Sequence, residues 1–339
     1  MAAITIKELQ ALLAKVEAAP RAYFGATPAK VLRELHRQAH PDRFSDDAKP
    51  EAARIFARFT QLAAAAEKPV TVVTTPTAAY TLEKLLGIGD ICDVHLATTA
   101  TGAQCVVKVP RFSKVEKLLI HENFVLKELR DTAEATTYGR YLPKPIETAK
   151  TSGTPPLQVN VFEHTPGGFT LEQVRAKYPD GLDGRHIAWV FKRLLTVVGF
   201  AHRQQWTHNA VLPPHVLLYP ESHGLQLVDW KTAGKGAPLR LISTPYRNWY
   251  PPEVLNKQST GPATDIYMAG KCAIYLAGGD PSTQQIPASV PTPMAALLRA
   301  ATLSPMSMRP TDAWELMDDF SKMLLGLYGP PKFVPLSMV

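Results

Sequence analysis

Side chains at three places in this 339-residue sequence have types and spacings that could do chemistry. The first place runs from His208 to Lys231. A polar loop, His208-Asn-Ala-Val-Leu-Pro-Pro-His215, is followed after a short apolar hairpin by Asp229-Trp-Lys231. Asp229 offers a hard oxygen ligand for a cation. His215 offers an imidazole suited to proton abstraction near pH 7, although the plainer reading is a loop histidine hydrogen-bonded to backbone. The second place centres on Lys108 in the apolar run Cys105-Val-Val-Lys108, preceded by Gly87-Ile-Gly89, whose backbone can approach a phosphate closely. A lysine on a buried strand requires a carboxylate, and Glu122 is the candidate partner. That pair can equally be structural alone. The third place is a helix on which Lys30, Arg33 and Arg37, spaced three then four apart, share a face and lead to His40-Pro41-Asp42. Read without context, that tripeptide is turn chemistry.

The elements that must position these groups follow from periodicity and punctuation. Thr5-x-x-Glu8 is a capping box, and Leu9, Leu12, Leu13 and Val16 continue it as a helix that stops before Pro20. Thr27-Pro28 reads as an N-cap with proline at the first helical position, opening a second helix lined by Val31, Leu32, Leu35 and Ala39. A third helix begins near Pro50, buries Ala52, Ile55, Phe56, Phe59 and Leu62, and ends at Pro69. The fold class expected is α+β: a small all-α helical hairpin domain over residues 1–68, a linker over 69–79 able to add an edge strand, then a mixed domain. That domain opens with a strand over Tyr80–Leu86, a turn at Thr99–Gly102 and the Lys108 strand. A helix over Ser113–Leu129 and a strand over Gln158–Glu163 follow. A core helix over Gly184–Arg203 carries Ile187, Val190, Leu194, Leu195 and Val198. Strands Val216–Leu218 and Leu225–Val228 bracket a turn at Glu221–Gly224.

In order and spacing these features resemble the protein-kinase fold, through about a dozen positions between Tyr80 and Tyr328. The resemblance implies a bilobal domain, with a β-rich N-lobe over 80–165, a helical C-lobe over 166–328 and a C-terminal tail over 329–339. It implies a nucleotide site made by Gly87, Gly89 and Val94 in the glycine loop, Lys108 with its helix partner Glu122, and the hinge Phe162, Glu163 and His164. Asp229 is the position implied to hold a metal. His208, Asp265 and the pair of Glu253 with Arg309 match scaffold positions. Three reacting positions depart from the pattern: Ala210 stands where the catalytic aspartate belongs, Leu212 where a phosphate-contacting lysine often stands, and His215 where the second metal-binding asparagine belongs. Cys92 replaces the third glycine, and Trp230-Lys231 replaces Phe-Gly. No catalytic residue is therefore expected. ATP is the cofactor implied, with magnesium held more weakly than in the family.

The first seventy residues resemble the J-domain of DnaJ-type co-chaperones, which carries a His-Pro-Asp loop between two antiparallel helices and a basic second helix. That resemblance implies a chaperone-binding surface of Lys30, Arg33, Arg37, His40, Pro41 and Asp42, with a DnaK-type heat-shock chaperone as partner. Ala22-Tyr23-Phe24-Gly25-Ala26 is a compressed form of the family's entry to that helix.

The composition, 45% hydrophobic and 20% charged, is that of an ordinary globular protein. The net charge of +7 permits acidic partners, but no Arg/Lys run or basic-aromatic stripe occurs, so nucleic-acid binding is not expected. Cys92, Cys105 and Cys272 show no C-x-x-C spacing, which argues against a disulfide framework or zinc site and for a reducing cytoplasm. No apolar run reaches the roughly 18 residues that span a bilayer, and Lys7, Glu8 and Gln10 occupy the place of a signal peptide's apolar core, so no membrane role is expected. The function expected is a J-domain co-chaperone or adaptor joined to a catalytically impaired kinase-like domain that binds an unidentified protein client and ATP. The alternatives are an atypical active Ser/Thr protein kinase with rearranged groups, and a nucleotide-independent scaffold.

Overall fold

Thr5 opens the first helix as its spacing predicts. Its hydroxyl accepts the Glu8 amide at 3.3 Å, and Glu8 Oε2 accepts the Thr5 amide at 2.8 Å. The computed structural model describes residues 4–18, 23–24, 27–67, 71–132 and 134–338. The chain divides into two units, Met1–Thr71 and Val72–Val339.

The first unit holds α1 (Ile6–Ala18), α2 (Pro28–Ala39) and α3 (Lys49–Glu67). Leu9, Leu13, Val16, Phe24, Leu35, Ile55 and Phe59 form its core. Two details differ from expectation. The Thr27 side chain makes no capping bond; instead its carbonyl takes the amides of Lys30 and Val31 at 3.1 and 3.2 Å. Phe56 is half-buried rather than core, because Ala52, Ile55, Phe59 and Leu62 already make the helical stripe and Phe56 falls at its edge. There its ring stacks on His36 at 3.8 Å. The helix stops expected at Pro20 and Pro69, and Ala22, Gly25 and Ala26, lie outside the described residues.

The second unit begins with a six-stranded antiparallel sheet in the order β1-β2-β3-β4-β6-β5. The strands are β1 (Val72–Thr74), β2 (Ala79–Ile88), β3 (Cys92–Thr99), β4 (Gln104–Pro110), β5 (Pro145–Lys150) and β6 (Gln158–Glu163). The edge strand allowed for within 69–79 is β1. Between β4 and β5 run α4 (Glu116–Arg130) and the short α5 (Ala135–Tyr138). Register brings Gly87, Val94, Lys108 and Asn160 into one row across β2, β3, β4 and β6.

A three-stranded sheet of β7 (Phe169–Thr170), β8 (Val216–Tyr219) and β9 (Gly224–Leu227) lies within a helical layer. Its helices are α6 (Leu171–Lys177), α7 (Gly184–Arg203), α8 (Pro252–Leu255), α9 (Pro262–Leu276), α10 (Thr292–Ala301) and α11 (Ala313–Tyr328). Asp183 caps α7 by accepting the Arg185 amide at 2.9 Å, and the helix buries Ile187, Val190, Leu194, Leu195 and Val198 against α9 and α11. The turn between β8 and β9 uses His223 in the left-handed region. Among the described residues no helix is long and apolar enough to cross a membrane, and the three cysteines are free and buried.

Candidate functional site

Lys108 is presented by β4 beneath Val94, and Glu122 by α4, which packs on β5 and β6. The ammonium meets both Glu122 oxygens at 2.9 and 3.0 Å. Asn160, level with Lys108 on β6, fixes the carboxylate by donating to Glu122 Oε2 at 3.0 Å and to the Leu119 carbonyl at 2.9 Å. Lys108 also pairs with Asp229 Oδ1, joining the larger sheet to the turn after β9. Asp229 Oδ2 is taken from the other side by Lys231 and by His215 Nε2, the latter at 2.9 Å. Burial alone would push the Asp229 carboxyl up, but Lys108, Lys231 and His215 hold it well below its ordinary value. Burial likewise disfavours the Lys108 charge, and Asp229 and Glu122 reverse that, holding its pKa above the ordinary value.

His215 is bound at both ring nitrogens, Nδ1 to the Ala210 carbonyl at 2.8 Å and Nε2 to Asp229. Each ring nitrogen thus faces an oxygen of a neighbouring group. The backbone bond expected for a loop histidine is present. With both nitrogens engaged, the arrangement leaves neither directed at a substrate for the alternative role in proton abstraction.

His208, from the same loop, is held as the neutral ring. Its Nδ1 accepts the Ala210 amide at 3.2 Å, and its Nε2 donates to the Val228 carbonyl at 3.1 Å. Burial lowers its pKa to about 4. Asp265 on α9 anchors this loop by accepting the amides of His208 at 2.7 Å and Asn209 at 2.8 Å, with His202 on its Oδ2 at 3.0 Å. Asn209 can serve at this bend because an asparagine tolerates the left-handed region; its φ is 65°. Ala210 presents only a methyl group there. Leu212 is fully buried and belongs to the core of the helical layer.

The remaining site residues lie around this cluster. The Gly89 amide reaches Cys92 O at 2.9 Å, and a Cβ at Gly89 would meet the same oxygen at 2.8 Å, so the turn requires glycine. Phe162 is buried beside the helical core, and Glu163 ends β6 exposed and paired with Lys144 at 2.5 Å. Half-buried His164 follows, its pKa lowered by burial. Glu253 and Arg309 form the expected pair, at 3.0 and 2.6 Å, with Thr264 donating to Glu253 at 3.0 Å.

In the first unit His40, Asp42, Lys30, Arg33 and Arg37 are exposed and Pro41 is half-buried. His40 Nδ1 lies 3.6 Å from Asp42 Oδ2 and accepts the Asp42 amide at 3.4 Å. Glu34 interrupts the basic ridge by pairing with Arg37 at 2.6 Å.

Two site residues escaped the sequence reading. Asn160 was signalled by an amide inside the apolar strand Gln158–Glu163. Lys271 was signalled by a lysine inside α9; it is buried, donates to the Asn248 carbonyl, and is lowered by burial to about 8.

The donor set does not suit magnesium. That ion takes hard oxygen ligands at about 2.0–2.1 Å, whereas both Asp229 oxygens are occupied by lysine ammonium groups and His215 offers only ring nitrogens. Among the described residues no group of three or more His, Cys, Asp or Glu side chains is arranged to hold a metal ion.

No family model matches the chain. Over 232 residues, 66% of its length, it is 26% identical to serine/threonine-protein kinase PAK mbt of Drosophila melanogaster. Over 222 residues, 63% of its length, it is 26% identical to serine/threonine-protein kinase PAK 1 of Mus musculus. These matches cover 33% and 38% of those proteins, so the chain spans about a third of the length of the curated relatives it matches. With the antiparallel sheet followed by a helical layer, this distant similarity supports a kinase-like domain in the C-terminal part of the chain.

Proposed function

We propose that the second unit is a nucleotide-binding, kinase-like module that does not transfer phosphate. Phosphoryl transfer in this fold needs metal-assisted charge neutralisation and an aspartate that accepts the proton of the attacking hydroxyl. The observation that carries the reading is a loop fully anchored by Asp265 whose reacting positions are a methyl group, Ala210, and an imidazole, His215, held at both ring nitrogens. Gly87, Gly89, Val94, Lys108 and the hinge from Phe162 to His164 are the residues assigned to ATP. The module's partner is a protein client. Incubating the full chain with radiolabelled ATP and magnesium should label neither the chain nor a general protein substrate. Robust labelling that disappears in His215→Ala would overturn this and favour an active, rearranged kinase.

A second reading concerns the first unit, where His40 and Asp42 project from the turn between α2 and α3 beside the ridge of Lys30, Arg33 and Arg37. This exposure favours a J-like role, the recruitment of a DnaK-type chaperone and stimulation of its ATPase. Pro41 fixes the turn and so reduces the entropy lost on docking. The full chain should stimulate a DnaK-type ATPase and His40→Gln should not; equal stimulation by both makes the tripeptide a turn and nothing more.

A further inference from the structure

Resting on the nucleotide reading above, we infer that this site binds ATP without a divalent cation, the Lys231 ammonium taking the charge-neutralising place of a metal. The first argument is occupancy. Oδ1 of Asp229 is held by Lys108, and Oδ2 by Lys231 and His215. A divalent ion at this carboxylate must therefore displace a cation already hydrogen-bonded there, while repelled by its neighbours.

The second argument is charge. Lys108 and Lys231 match the charges of Glu122 and Asp229, so the cluster has no excess of negative charge to hold a divalent cation. A divalent cation added there brings charge that no carboxylate of the cluster is free to balance, whereas a triphosphate brings its own anionic oxygens to the two ammonium groups. Charge at a buried site acts at low effective dielectric, where such differences are largest.

The third argument is rigidity. Asp229 adopts the left-handed region and a 3-10 turn over Trp230–Thr232 follows. Trp230 is fully buried, donates to the Leu227 carbonyl at 2.8 Å and meets the His208 ring edge-on. On the far side of Lys231, Asn209 donates to the Thr232 carbonyl at 3.1 Å, and His121 on α4 bonds the Ala233 carbonyl at 2.8 Å. The backbone bearing Lys231 is thus pinned on both sides. Its ammonium is presented in place, so a ligand need not order it on binding.

Isothermal titration of ATP into the full chain, in magnesium and again in EDTA, tests this. The two dissociation constants should agree within about threefold, or EDTA should give the tighter. Lys231→Met should weaken binding in EDTA about tenfold or more, the loss expected for a charge-assisted hydrogen bond to phosphate. His215→Asn removes the imidazole from Asp229 Oδ2 and supplies a neutral oxygen, so magnesium should now tighten ATP binding. This variant decides the matter if Lys231→Met fails to fold. Wild-type binding that requires magnesium overturns the inference and leaves the nucleotide reading standing. Binding in EDTA unaltered by Lys231→Met, or no magnesium response in His215→Asn, also overturns it. No binding in either buffer removes the nucleotide reading and this inference together.

Discussion

Arg309 and Glu253 meet as a bidentate pair in which each charge cancels the other, whereas Lys108, Lys231 and His215 share two carboxylates in a cluster that reaches the surface. Both networks are buried in the same unit, and both fall where a kinase-like domain places ionic groups. The first is closed: Thr264 completes the Glu253 shell, and Arg309 also donates to the Ala263 carbonyl at 3.0 Å. It ties α8 to α9 and to the segment before α11. The second is open at its rim, where 17% of the His215 side chain and 15% of the Lys231 side chain are exposed. A closed neutral pair serves as a clamp. An open cluster whose accessible rim carries the Lys231 ammonium is arranged to meet an anion.

The largest effect that can break this comparison is Arg309→Ala. Removing one partner leaves Glu253 as an uncompensated buried charge, which costs about 3–5 kcal/mol. Denaturant unfolding should show that loss, while Lys231→Met should change stability by no more than about 1 kcal/mol, since Lys108 and His215 still hold Asp229. Equal losses in the two variants would make the cluster a clamp as well and remove the distinction.

The two histidines of the loop sharpen the contrast through pH. His208 belongs to the anchored scaffold and is neutral, its pKa lowered by burial to about 4 from 6.5. The unfolded chain therefore takes up this proton first. Stability from this group is full above about pH 6.5 and falls as pH drops toward 4, by up to about 3 kcal/mol. Urea midpoints measured across that window should decline. In His208→Gln the decline should shrink, with a remainder from His36, His164 and His186, which burial also holds below their ordinary value. An unchanged slope in the variant would show that another group sets the acid limb.

How legible these networks were depended on what each required. Lys108 with Glu122 could be assigned because a buried charge demands a partner and few candidates exist, whereas Asp265 beneath the loop and Glu253 with Arg309 were assigned through the order of kinase-like positions along the chain. The Gly184–Arg203 helix was readable to its ends because its apolar stripe, the Asp183 cap and the polar stop coincide. Asn160 was not assigned, since its bond to Glu122 depends on β6 lying beside β4, a strand order that periodicity does not encode. The link from His215 to Asp229 was missed for a similar reason: it needs the loop and the turn after β9 brought to hydrogen-bond distance. Phe56 was assigned to the core because spacing defines a stripe and leaves its width open, and a flanking ring such as His36 can satisfy an aromatic at the margin.

The smallest effect concerns an exposed pair, the opposite extreme from Arg309 with Glu253. Glu34 accepts Arg37 at 2.6 and 2.9 Å and Gln38 at 3.0 Å, and these bonds hold its carboxyl below the ordinary value. The side chains are 48% and 61% exposed, so water and salt screen the pair and the fold does not depend on it. Glu34→Ala should leave the melting temperature of the chain unchanged within error. It also frees Arg37 and makes the ridge with Lys30 and Arg33 uniformly basic. If that ridge steers toward an acidic chaperone surface, stimulation of a DnaK-type ATPase should rise in Glu34→Ala at low salt. The two proteins should converge near 1 M salt, where the Debye length falls to about 3 Å from about 10 Å at 0.1 M. A lower stimulation, or a difference indifferent to salt, would assign Glu34 to the contact itself and the ridge to solvent.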